Sequence, residues 1–308
     1  MQKDGLEGIF PVLVVPFKED KEVDYDSFRN LINFVYDKKV DGIMLFGLGS
    51  EFYKISDEES FKLTEALIEE NKGRGKIIIG VGKPGTETTI KQAKFCQSLK
   101  ADALIIFPPY CVPVNAKQLF NHYADVAGSV DLPIIIQDSP IYSGVNMDIN
   151  FFVDLNKRCE NIKYAKIENK LSGPKISQLI EGTQGRLKIF AGKGGTHFYE
   201  HLKRDVCGLM PGCAIIELFV EIYKKYKENK YRESEDIFED IATFLYLEDQ
   251  DIEYFVASEK TVLNYRKVIK SSVTRKPQTV LDELSKYMLL GKLDKLMHKY
   301  GMNNNNVI

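Results

Sequence analysis

Short apolar runs recur along this chain at intervals too long for hairpins, and no other feature constrains the fold as tightly. They occupy residues 9–15, 42–46, 76–81, 103–107, 133–137, 162–167, 187–191 and 205–209. Most are dense in Ile, Leu, Val or Phe and lack the polar–apolar alternation of a half-exposed strand, which predicts parallel strands covered on both faces. Helical patterns fill the intervals, at 24–38, 57–71, 86–99, 116–129, 148–159, 174–181 and 197–203. Ser56 and Glu59 form a capping box at the start of the second. Because parallel strands need a crossover, strict strand–helix alternation repeated eight times predicts the α/β class. Specifically, it fits a (β/α)8 TIM barrel over residues 1–225 better than an open doubly wound sheet. From there the periodicity is helical only, at 228–246, 252–269 and 279–298, predicting a C-terminal helical extension over 226–302. The Asn-rich end, 303–308, is expected to fray.

Composition narrows the function. With 44% hydrophobic and 28% charged residues in a chain of 308, a large core is available without disulfides or metals. A net charge of −2 argues against nucleic-acid or anionic-membrane partners. The five cysteines are scattered and never spaced C-x-x-C, which suits a reducing cytoplasm and signals no metal site. The first residues carry no apolar leader and no run approaches a bilayer span, so the cytoplasm is the expected location.

In a barrel of this kind, reactive groups sit where strands end. Lys166 lies near the end of the sixth run, Ile162-Lys-Tyr-Ala-Lys-Ile-Glu168. Burial there disfavours its charge, and a neutral amine can attack a ketone to form a Schiff base, an electron sink for the adjacent carbon. The alternative is an ordinary strand-end lysine snorkelling to water. Glu168, two residues on, shares its face and can move a proton beside an iminium; alternatively it is a structural ion-pair partner of Lys166 or Lys170. The small residues Gly47 and Gly49 allow backbone N–H groups to converge as an anion-binding nest for a substrate carboxylate, with Ser50 and Glu51 completing the loop.

These motifs resemble, in order, those of the dihydrodipicolinate synthase and N-acetylneuraminate lyase family. The similarity runs from Gly8-Ile-Phe-Pro through Gly47-Leu-Gly-Ser-Glu51, Pro109-Tyr110, and Pro140 with Ser143-Gly144, to Lys166 and on to Pro277. The resemblance implies a class I lyase without metal or organic cofactor, a small-molecule 2-oxo acid substrate, Lys166 as the Schiff-base lysine, Tyr110 and Gln137 at the substrate, and a homotetramer. Gln137 stands where synthases and sialic-acid lyases of the family have a proton-relaying tyrosine. Leu48 and Gly49 replace a threonine pair, Cys111 a second tyrosine, and Tyr142 the synthases' arginine. An amide does not ionise near neutral pH, so dihydrodipicolinate synthesis fits poorly. The Lys166-Ile-Glu168 spacing, with Gly192-Lys-Gly-Gly195 and Met210-Pro-Gly212 later, is similar to a branch acting on 2-keto-3-deoxy sugar acids. Within it, Glu168 is implied as the base, and Gly192 and Gly194 would bring backbone donors to substrate hydroxyls.

Two readings from other classes compete: a 2-oxo-acid binder without turnover, and an NAD-dependent oxidoreductase. The latter rests on Gly80-Val-Gly-Lys-Pro-Gly85 with Asp102 downstream. His197 and His201, one helical turn apart, lack a third ligand and read as surface residues.

Overall fold

The computed structural model describes residues 5–302; the 303–308 segment expected to fray lies outside them. Eight strands form one parallel sheet: β1 Gly8–Ile9, β2 Gly42–Leu45, β3 Lys76–Gly80, β4 Ala103–Ile106, β5 Ile134–Asp138, β6 Ile162–Ile167, β7 Lys188–Ala191 and β8 Gly208–Leu209. Each pairs with its sequence neighbour from β2 to β8, and β8 pairs with β1. The Val12–Met44 bridge, with Leu13 N–H donating to the Met44 carbonyl at 2.9 Å, joins β1 to β2 and closes the barrel. Helices α1 Tyr25–Asp37, α2 Asp57–Asn71, α3 Thr86–Ser98, α4 Ala116–Ala127, α5 Pro140–Ser143, α6 Ile149–Arg158, α7 Ser172–Gly182, α8 Phe198–Leu202 and α9 Ile216–Lys227 alternate with the strands. Three more, α10 Tyr231–Glu248, α11 Ile252–Tyr265 and α12 Glu283–Tyr300, form the C-terminal extension.

Several boundaries differ from the sequence expectation, each for a local reason. Regular β1 stops before Pro11, which has no N–H for the ladder. Residues 205–209 shrink to Gly208–Leu209 because Asp205 is left-handed at φ 57°. Asn229, at φ 60°, separates α9 from α10, so the helix expected from 228 begins at Tyr231. Asp282 accepts the Ser285 N–H at 2.7 Å and delays the last helix to Glu283.

Strand alternation produces two concentric cores. The inner one, filling the barrel, includes Phe10, Met44, Ile78, Ile105, Ile135, Tyr164, Phe190 and Met210; a larger one lies between strands and helices. The β5–β6 register slips by one residue, pairing Ile134 with Ile162 but Ile135 with Tyr164. This bulge puts Ile162 in the outer core and Tyr164 in the inner one. From Tyr164 onward, even-numbered residues of β6 face the barrel axis, which aims Lys166 and Glu168 inward at its C-terminal mouth.

Candidate active site

Lys166 is only 4% exposed. Its Nζ lies 3.0 Å from Glu168 Oε1, the ion pair given above as the alternative role of Glu168. Lys170 is not the partner. Gln137, in register with Lys166 on the adjacent strand, donates from Nε2 to Glu168 Oε2 at 2.7 Å. The Lys193 backbone N–H donates to Oε1 at 2.9 Å. Burial pushes the Glu168 carboxyl up. The Lys166 charge, the Lys193 N–H and the Gln137 amide outweigh it and hold Glu168 below the usual carboxylate range. Gly192 makes this arrangement possible, since a Cβ there would lie 2.4 Å from Glu168 Cγ. Gly194, left-handed at φ 61°, turns the loop back toward the cleft.

A cleft of about 70 Å³ opens on this pair. Leu48, Gly49 and Val12 form one wall, Met210 and Pro211 another, and Tyr142 with Ser139 a third. Asp249, Asp251, Ile252 and Phe255, from the α10–α11 loop and the start of α11, roof it. The turn Leu48–Ser50 begins at Gly47. As the first N–H groups of a helical turn, those of Leu48 and Gly49 have no acceptor within it. A Cβ on Gly47 would meet Val12 and Met44 within 3 Å, which explains glycine there.

Ser50 and Glu51 do not face the cleft. Ser50 Oγ donates to the Leu13 carbonyl at 2.6 Å and accepts the Phe46 N–H at 3.1 Å. Glu51 is fully buried between Lys260, at 2.5 Å, and Lys54, at 3.2 Å. Both residues hold the loop through these contacts. Tyr110 also lies elsewhere. It packs edge-on against Phe52 and Phe107 and lines a separate groove of about 580 Å³ with Cys111 and residues 143–148.

Two alternatives lose their structural basis. Gly82 sits past the end of β3, whereas Asp102 is bound to Lys76 and the Ile77 N–H at that strand's beginning, so the glycine motif and its acidic partner occupy opposite ends of the barrel. His201 is buried, not on the surface, and its Nε2 is 2.9 Å from Ser172 Oγ. Among the described residues no group of three or more His, Cys, Asp or Glu could hold a metal ion, and no helix is long and apolar enough to cross a membrane.

Sequence reasoning missed the roof. Asp249 and Asp251 lie in what reads as an interhelical break, where only the N-cap pattern at Asp251 is visible; Lys193 was masked by its glycine neighbours.

The profile of the dihydrodipicolinate synthetase family matches residues 5–295. Among individual relatives, a 4-hydroxy-tetrahydrodipicolinate synthase of Methanocaldococcus jannaschii is 33% identical over 57% of this chain and 59% of its own length. An uncharacterised DapA-like lyase of Rhizobium meliloti is 29% identical over 60% of this chain and 61% of its own. These alignments thus span about three-fifths of the relatives' length. A synthase of Methanococcus aeolicus, 25% identical, aligns over 96% of this chain and all of its own. In three dimensions, a crystal structure of a dihydrodipicolinate synthase superposes with a TM-score of 0.88 at 25% identity, covering 94% of this chain and 99% of that one. The E. coli K12 protein YagE, crystallised with pyruvate, shares the fold with a TM-score of 0.87 at 22% identity, over 94% of this chain and 98% of its own. With the profile running nearly end to end and a buried strand-borne lysine at the barrel mouth, the chain belongs to the dihydrodipicolinate synthetase family.

Proposed function

We propose that this protein is a class I lyase that carries a 2-oxo acid as a Schiff base on Lys166, and that its substrate is a 2-keto-3-deoxy sugar acid. The observation that carries the reading is the buried Lys166–Glu168 pair, held by Gln137, at the base of a cleft in the barrel mouth. Lys166 Nζ adds to the C2 ketone and water leaves, forming the iminium. The substrate carboxylate rests on the Leu48 and Gly49 N–H groups. Glu168, ionised and beside the imine nitrogen, removes a C3 proton, and the electron pair moves into the iminium. In a dehydratase, the returning pair expels the C4 hydroxyl, which leaves as water with the proton returned by Glu168; in an aldolase, Glu168 instead takes the C4 hydroxyl proton, the oxygen pair forms the aldehyde carbonyl, and the C3–C4 pair moves into the iminium. Hydrolysis of the imine regenerates the lysine.

Gln137 supports a sugar acid over dihydrodipicolinate synthesis, because its amide holds Glu168 and cannot itself relay a proton. The synthase names of several relatives favour the second reading, condensation of pyruvate with an aldehyde that bears a carboxylate. Borohydride trapping with pyruvate is expected to label Lys166 and to leave Lys166→Ala unlabelled. Glu168→Gln is expected to keep the adduct and to lose turnover of 2-keto-3-deoxy acids by roughly 10²–10⁴-fold. An unlabelled Lys166 removes the reading; an undiminished Glu168→Gln removes the base.

A further inference from the structure

Beyond the imine, the cleft has a charge pattern that selects among 2-oxo acids. Five charged side chains line it: Lys166, Lys193, Glu168, Asp249 and Asp251. Lys166 is matched by Glu168 at 3.0 Å and Lys193 by Asp249 at 3.0 Å. Asp251 is left in excess; one of its oxygens caps α11 through the Tyr254 N–H at 2.8 Å. No arginine lines the cleft. Tyr142, hydrogen-bonded to the Ile252 backbone, has its hydroxyl pushed up by burial and by Asp249, Asp251 and Glu168, so it stays a neutral donor. Tyr142, Asp249 and Asp251 therefore offer a phenol and carboxylate acceptors to whatever lies beyond C4.

We propose that Asp249 and Asp251 are specificity residues that restrict the substrate to sugar acids with one carboxylate and an uncharged, hydroxyl-bearing far end, excluding terminal phosphates and second carboxylates. This rests on the proposed reading for which end of the substrate meets Lys166. Hydroxyls donate to the two aspartates in place of water. A second anion would meet Asp251 and the Asp249–Lys193 pair, in which Lys193 is already engaged at 3.0 Å, and like charge is an effective way to reject a competitor.

Two measurements separate this inference from the imine chemistry. In calorimetric titrations, gluconate, glucarate and gluconate 6-phosphate lack the ketone and report charge preference alone. Gluconate is expected to bind tighter than either dianion by on the order of tenfold or more. In Asp249→Asn and Asp251→Asn, which keep the helix cap, that preference is expected to shrink, with the 6-phosphate gaining most in Asp249→Asn because Lys193 is released. Equal or tighter binding of a dianion, binding of none of the three, or an unchanged preference in both variants overturns the inference. Gluconate selectivity without a borohydride adduct on Lys166 overturns the imine reading and leaves this one standing; an adduct with no selectivity does the reverse.

Discussion

At Gly192 a single added methyl group would displace the Glu168 carboxylate. An alanine there would place its Cβ 2.4 Å from Glu168 Cγ and 2.7 Å from Oε1, so the carboxylate must move off Lys166, Gln137 or both. Misplacing a catalytic group by about 1 Å costs about 10²-fold. Gly192→Ala is expected to lose that much in kcat with a folded circular dichroism spectrum, and a variant with full kcat would free Glu168 from the role given to it. Lys166 and Glu168 were legible in the sequence because a lysine in an apolar strand is conspicuous and two-residue spacing fixes a shared face. Gln137 stood out in the sequence but not as the group that holds Glu168, since that contact crosses strands. That Ser50 and Glu51 turn into the protein and Tyr110 lines a separate groove was not legible, because side-chain direction within a turn follows from what packs behind it.

Between elements, Glu51 and Lys260 form a fully buried ion pair that ties the turn after β2 to α11. Burial drives the Lys260 ammonium down to about 8, against the opposing pull of Glu51. Removing one partner strands the other. Glu51→Ala is expected to cost about 3–5 kcal/mol in denaturant titration, whereas Glu51→Gln combined with Lys260→Met should cost far less. Equal losses in both would show that the charges themselves matter little. The strands and most helices were readable from period and caps. Their ends were less so, because Asp205 and Asn229 adopt left-handed backbone for which neither residue type is diagnostic. The short helix α5, opened by Pro140, shows no periodicity at four residues.

Across the whole molecule, the extension docks on the barrel through acids that burial keeps protonated. Glu259 accepts the Cys213 and Ala214 N–H groups at 2.6 and 3.0 Å, just beyond β8, and burial raises it from 4.5 to about 7. Glu248, whose Oε1 is buried without a partner, is likewise pushed well above its ordinary value by burial and by Glu259. The folded state holds these protons where the unfolded chain has released them, so stability is greatest below about 4.5 for this contribution and falls as pH rises through 7. Glu248→Gln is expected to raise the melting temperature at pH 8 by a few degrees and to do little at pH 5. An unchanged gap between the two pH values would discount this contribution. The sequence by itself determined the barrel, its helical extension and the lysine at the end of the sixth strand, because period, capping and residue type are local properties carried by neighbouring positions. Only the tertiary structure decided which loops face the cleft, that Glu168 is gripped from two sides, and that acids from α10 and α11 roof the site. Those outcomes depend on contacts between residues far apart in the chain, and no local pattern encodes where such residues meet.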